Sequence, residues 1–96
     1  MSEKETVKIR EVTVVNGMGL HARPAAMIAR IVAESSSEVW FVRENGERIM
    51  AGSALSILMM AAGRGTKLVI EADGADADAV ADRLAEEFAS GFGEID

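Results

Sequence analysis

Cysteine is absent from the chain, so no disulfide framework and no zinc-thiolate site can form, and nothing points to an oxidising compartment. Histidine occurs once, which removes the ligand sets built from several imidazoles; neither a metal nor another cofactor is expected. Long apolar runs are missing too. The opening Met-Ser-Glu-Lys-Glu-Thr is polar with no apolar block behind it, which argues against a secretory signal, and no run is long enough to span a bilayer. A soluble cytoplasmic protein is the expectation. Basic residues are in the minority: 10 Lys and Arg against 16 Asp and Glu leave a formal net charge of -6, which opposes binding to the phosphate backbone of nucleic acid. Ninety-six residues suffice for one core and not for two, so residues 1–96 read as a single domain in which 1–10 form an N-terminal extension.

What is present follows two periodicities. Residues 7–15 are β-rich but out of phase with themselves, Val7 and Ile9 in one phase and Val12 and Val14 in the other. A strand that begins near Glu11 reconciles them, with 1–6 a flexible start. Ala25, Ile28, Ala29 and Val32 then mark one face of a helix over 22–33, which Ser35, Ser36 and Ser37 end. Val39 to Arg43 form a strand with Val39 and Phe41 inward, and Asn45-Gly46 turns it into a second strand over 47–50. Trp40, on the outer face, is either covered by long neighbouring side chains or a contact surface.

Ser53 is placed to cap a short helix over 54–61 that is apolar nearly all round, through Leu55, Ile57, Leu58, Met59 and Met60. One face packs on the sheet; the other is either buried as well or left bare for a partner. A half-buried strand over 66–72, with Leu68, Ile70 and Ala72 inward, leads through Asp73-Gly74 to a last helix. Asp76 and Asp78 suit its start, Ala77, Val80, Ala81, Leu84 and Phe88 its buried stripe, and Gly91 its end. Strands with one apolar face and helices between them give an α+β domain of two layers, a largely antiparallel sheet with its helices on one side.

The chemistry concentrates in residues 17–26, Gly-Met-Gly-Leu-His-Ala-Arg-Pro-Ala-Ala. Pro24 fits the first turn of a helix, so His21 stands at the helix N-terminus, where unpaired amides and the macrodipole favour an anion. A neutral imidazole is a nucleophile near neutral pH, Arg23 can fork onto phosphate oxygens, and Gly17 and Gly19 allow close backbone approach. These features suit covalent transfer of a phosphoryl group. Chemistry alone leaves the alternative open, since a lone histidine at a helix start is equally explained as a cap or a surface residue.

The segment from Gly19 to Ala25, Gly-Leu-His-Ala-Arg-Pro-Ala, resembles the active-site signature of the HPr family, the histidine-containing phosphocarriers of the bacterial phosphoenolpyruvate-dependent sugar phosphotransferase system, and the resemblance extends over about 11–94. It implies an open-faced β-sandwich, four antiparallel strands with three helices on one face in the order βαββαβα. It further implies a carrier, not an enzyme: enzyme I would charge Nδ1 of His21, Arg23 would stabilise the phosphate, and an enzyme II A domain would receive it, for sugar uptake or for a regulatory or nitrogen-related branch. By the same correspondence Ser53 would be the regulatory site of an HPr kinase/phosphorylase, and Ala54, Leu55 and Leu58 would belong to the docking surface. Met18 stands where the family is usually polar, the N-terminal residues have no counterpart, and the Asn45-Gly46 hairpin is a residue longer. The alternative is a non-catalytic regulatory adaptor controlled by phosphorylation at Ser53.

Overall fold

The computed structural model describes residues 7–94. Four strands, β1 (Val7–Thr13), β2 (Ser37–Arg43), β3 (Arg48–Met50) and β4 (Lys67–Gly74), form one sheet in the order β1-β4-β2-β3, every neighbouring pair antiparallel. The helices α1 (Ala22–Ala33), α2 (Ala54–Met60) and α3 (Ala77–Ala89) pack on one side of it, and a short 3-10 turn (Gly91–Gly93) follows α3. The βαββαβα order and the two layers agree with the sequence reading.

The alternation along each strand decides which face is covered. Val12, Val39, Phe41, Ile49, Leu68, Ile70 and Ala72 face the helices and are buried, joined by Ile28 of α1, Ile57 of α2 and the Ala77, Val80, Ala81, Leu84 and Phe88 stripe of α3. Phe41 meets Phe88 edge to face with ring centroids 5.6 Å apart, and Phe88 meets Phe92 in the same way at 5.0 Å. Such pairs add about 1 kcal/mol beyond the area they bury. Trp40, between Val39 and Phe41, lies on the opposite, open face beneath the Arg48 guanidinium, 5.0 Å from the ring centroid. The partly covered reading of Trp40 is therefore the observed one.

One strand starts earlier than its hydrophobic pattern suggests. β1 begins at Val7, not near Glu11, and pairs without a bulge from Val7 opposite Asp73 to Thr13 opposite Lys67. Residues 7–10, expected in an extension, are thus sheet; the expected flexible start, residues 1–6, lies outside the described residues. Lys8 and Arg10 share the inner face with Val12, beyond the apolar core and under α3. Arg10 Nε donates to Asp82 at 2.9 Å and its terminal nitrogen to Asp78 at 3.2 Å. Polar residues thus occupy core-side positions because α3 brings carboxylates to them. These exposed pairs are screened by solvent and contribute little, so β1 is held mainly by its ladder to β4.

Two smaller expectations also change. Asp76 occupies the N-cap position of α3, but its carboxylate does not cap the helix; it accepts from the Ser36 amide at 3.0 Å and the Ser37 hydroxyl at 2.5 Å, tying α3 to the start of β2. β3 is confined to Arg48–Met50, because the turn runs through 43–47: the Gly46 amide donates to Arg43 O and the Arg43 amide to Glu47 O, both at 2.9 Å.

Candidate functional site

The loop before α1 is pinned to the far end of α2. Gly19 has φ +66, and a Cβ built on it would lie 2.4 Å from the Ala62 carbonyl oxygen and 2.8 Å from Gly63 Cα, so only glycine fits. The next amide, that of Leu20, donates to Ala62 O at 2.9 Å, and the Leu20 side chain is buried. These contacts fix the entry into α1.

His21 is the N-cap residue of α1, with extended backbone, yet its ring caps nothing. The first intrahelical bond runs from the Ala25 amide to His21 O at 3.0 Å, so the amides of Ala22 and Arg23 precede the helical ladder and Pro24 has none to leave unpaired. The imidazole turns instead to Glu94, its Nε2 lying 2.6 Å from Oε2. Arg23 Nε donates to the same oxygen at 3.2 Å, and Asn16 Nδ2 donates to the other carboxylate oxygen at 2.9 Å. One carboxylate, supplied by the segment after α3, is therefore held by groups from the loop and from the start of α1.

Each of these groups is anchored in turn. Asn16 is buried; its Nδ2 also donates to Gly19 O at 2.8 Å, which closes the loop, while its Oδ1 has no donor among the described residues. A second Arg23 nitrogen donates to Phe92 O and a third to Met27 Sδ at 3.2 Å. Glu94 reaches the site because the chain reverses after α3. Gly91, Phe92 and Gly93 have φ of 63°, 58° and 73°, three successive left-handed residues. For Phe92 that conformation costs about 1–3 kcal/mol, and it persists because the ring is buried against Phe88.

The electrostatics follow from these bonds. The hydrogen bond from Asn16, then those from His21 and Arg23, hold the Glu94 carboxyl below its ordinary value of 4.5, against the desolvation that pushes the other way. The His21 side chain keeps 29% of its surface accessible and Arg23 50%, so an incoming group can reach both. No described helix is long and apolar enough to cross a membrane.

His21 and Arg23, singled out from the sequence, are thus brought together, at the N-cap and in the first turn of α1 around one anion. Ser53 stands at the N-cap of α2, where its Oγ accepts from the Ser56 amide at 3.1 Å, as its position suggested. α2 buries Ile57 and Met60 and leaves Leu55, Leu58 and Met59 exposed, which settles the two readings of that helix in favour of a bare face; Ala54 is half-buried against the core. Met18 is exposed, and nothing in its surroundings explains the choice of methionine. Asn16, Phe92 and Glu94 were not singled out by sequence reasoning. Asn16 carried a signal, an Asn-Gly pair just before the histidine motif; Glu94 carried none, being one acidic residue among sixteen.

Comparison with known proteins adds the relatives. The family model described as PTS HPr component phosphorylation site matches residues 8–90. Phosphocarrier protein HPr of Cupriavidus necator is 36% identical over 85 residues, covering 88% of this chain and 94% of the relative. Phosphocarrier protein NPr of Shewanella violacea is 36% identical over 75 residues, covering 78% and 81%. Among solved structures, the crystal structure of HPr-C-His from Thermoanaerobacter tengcongensis superposes with a TM-score of 0.85 at 30% identity, over 92% of this chain and 98% of that one.

Proposed function

Since the chain belongs to the HPr family of phosphocarriers, we propose that His21 is the residue that carries the phosphoryl group, accepted on Nδ1, and that Arg23 stabilises it. One observation carries the reading: His21 and Arg23 already share a carboxylate oxygen at the N-terminus of α1, so the site is built to hold an anion. A phosphoryl group on the ring is a stronger claimant for Arg23 than Glu94 is, because the guanidinium fork matches two phosphate oxygens. The amides of the first turn of α1 add donors without side-chain reorganisation. The protein is then a carrier and not an enzyme: it is chemically changed in each half of the cycle and restored by the next partner.

The donor in this reading is enzyme I, charged from phosphoenolpyruvate, and the acceptors are enzyme II A domains, all in the cytoplasm. Docking falls to Ala54, Leu55 and Leu58, with Met59 beside them, on the exposed face of α2, which packs against α1. No cofactor takes part. Relatives named HPr and NPr match at the same 36% identity, so the output is either sugar uptake or regulation. The test is to incubate the protein with phosphoenolpyruvate and a competent enzyme I and to weigh it. An acid-labile phosphoryl increment on the wild type and none on His21→Ala is the expected result; no increment on the wild type, or an equal one on the variant, overturns the reading.

A second reading rests on Ser53. Its hydroxyl sits at the start of the helix whose apolar side is bare, so a phosphate there joins an exposed docking face at a helix N-terminus, favourable for the fold and unfavourable for an acidic partner. An HPr kinase/phosphorylase would make the modification, and the chain would act as a regulatory adaptor. ATP-dependent labelling with such a kinase that vanishes in Ser53→Ala supports it; labelling that persists in the variant rejects it.

A further inference from the structure

We propose that Glu94 is a positioning residue for His21, fixing the neutral imidazole in the tautomer that carries its proton on Nε2 so that Nδ1 is left as the nucleophile. The proposal deepens the phosphoryl-acceptor reading and rests on it for its consequence, though not for its geometry.

The argument starts from what each group can do. An ionised carboxylate only accepts hydrogen bonds, and Glu94 is ionised at neutral pH because Asn16, His21 and Arg23 all bond to its charged form. At 2.6 Å from Oε2, Nε2 must therefore be the donor, and in a neutral ring the single N–H then belongs to Nε2. The other nitrogen keeps its in-ring lone pair. The carboxylate has little freedom to choose otherwise, since its two oxygens are held by Asn16 from one side and Arg23 from the other. Glu94 is brought there by the left-handed turn over 91–93, a conformation with a measurable cost for Phe92, and the segment is fastened by Arg23 to Phe92 O. The strain thus has a product: a fixed acceptor on one ring nitrogen.

The consequence for transfer is a matter of bonds and protons. The Nδ1 lone pair forms the new N–P bond; the bond from phosphorus to the atom that carries it on the donor breaks, and its electron pair leaves with that donor atom. No proton has to depart from His21, because Nδ1 carries none, and the product ring keeps its Nε2–H on Glu94. In the opposite tautomer Nδ1 would be blocked by its own proton, and the reactive nitrogen would be the one facing Glu94. The carboxylate therefore selects the atom that reacts while never touching the transferred group.

Because His21 is the only histidine, the ring can be read directly. Imidazole-labelled protein is examined by long-range 1H–15N NMR at about pH 8.5, some two units above the ordinary imidazole pKa. The expected spectrum has Nε2 in the protonated range, Nδ1 in the unprotonated range, and an Nε2–H proton slowed enough in exchange to be seen. In Glu94→Ala the two nitrogen shifts move toward each other, the N–H signal broadens away, and phosphoryl uptake from enzyme I slows at least threefold. A wild-type ring protonated on Nδ1 overturns the proposal, and so do nitrogen shifts unchanged in Glu94→Ala. If the wild type shows the expected ring but takes up no phosphoryl group, it is the carrier reading that fails, and the tautomer assignment stands.

Discussion

Two helix N-termini on the same side of the sheet each carry a residue able to bear a phosphate, and they are built in opposite ways. At α2 everything is local: Ser53 accepts from Ser56, three residues on, and its hydroxyl is already spent on the helix it caps. At α1 the N-cap side chain is released from capping and turned outward, and the carboxylate it meets comes from far along the chain, His21 to Glu94 across 73 residues and Asn16 to Glu94 across 78. The first arrangement stabilises a helix. The second holds an anion in reserve, with Pro24 lowering the demand for capping in the turn that His21 leaves uncapped.

Substitutions that act on one end and spare the other sharpen the contrast. The largest effect is expected for Gly19→Ala, which adds a Cβ against backbone at 2.4 Å and 2.8 Å and penalises a positive φ; a loss of about 3 kcal/mol is expected from urea denaturation. Next comes Arg23→Ala. Removing a charged phosphate ligand slows phosphoryl uptake by about 100-fold, while the bonds to Phe92 O and Glu94 it takes with it cost about 1–2 kcal/mol in melting experiments. An unchanged uptake rate would take Arg23 out of the site.

At the other end the expected changes are smaller and of a different kind. Ser53→Ala should cost about 1 kcal/mol of stability through the lost cap and leave the rate at His21 alone; a slowed rate would mean that the two termini are coupled. The smallest effect concerns pH. Because the folded Glu94 carboxyl titrates below its ordinary 4.5, its contribution to stability is complete above that value and is lost as the pH falls through the lower folded one. The stability difference between wild type and Glu94→Gln, followed by denaturation from pH 7 to about 3, should therefore shrink toward zero only at the acid end; a difference that stays constant would show that the carboxylate's charge plays no part.

The same contrast explains what could be read in the sequence. α1 over Ala22–Ala33, the five-residue stripe of α3 and the Ser53 cap all follow from spacings within a few residues, where periodicity and capping chemistry act. The start of β1 was hidden because Lys8 and Arg10 look like solvent residues until α3 supplies Asp78 and Asp82. Asp76 was legible as a helix start but not as the tie to Ser36 and Ser37, a contact made only once α3 and β2 are side by side. His21 and Arg23 announced themselves by residue type and position. Their third partner did not, since no local rule marks Glu94 as the carboxylate that a left-handed turn will deliver.

The single tryptophan sits on the bare side of the sheet, under Arg48, with the whole thickness of the core between it and the helices. Its emission is therefore an optical channel that hears unfolding and is nearly deaf to events at His21 or on α2. A phosphorylation or a docking partner on the helical side should leave the fluorescence flat, whereas loss of the β2–β3 pairing that stacks Arg48 over the indole should shift it. The molecule thus comes with its own internal control, separating a change in the state of the carrier from a change in its fold.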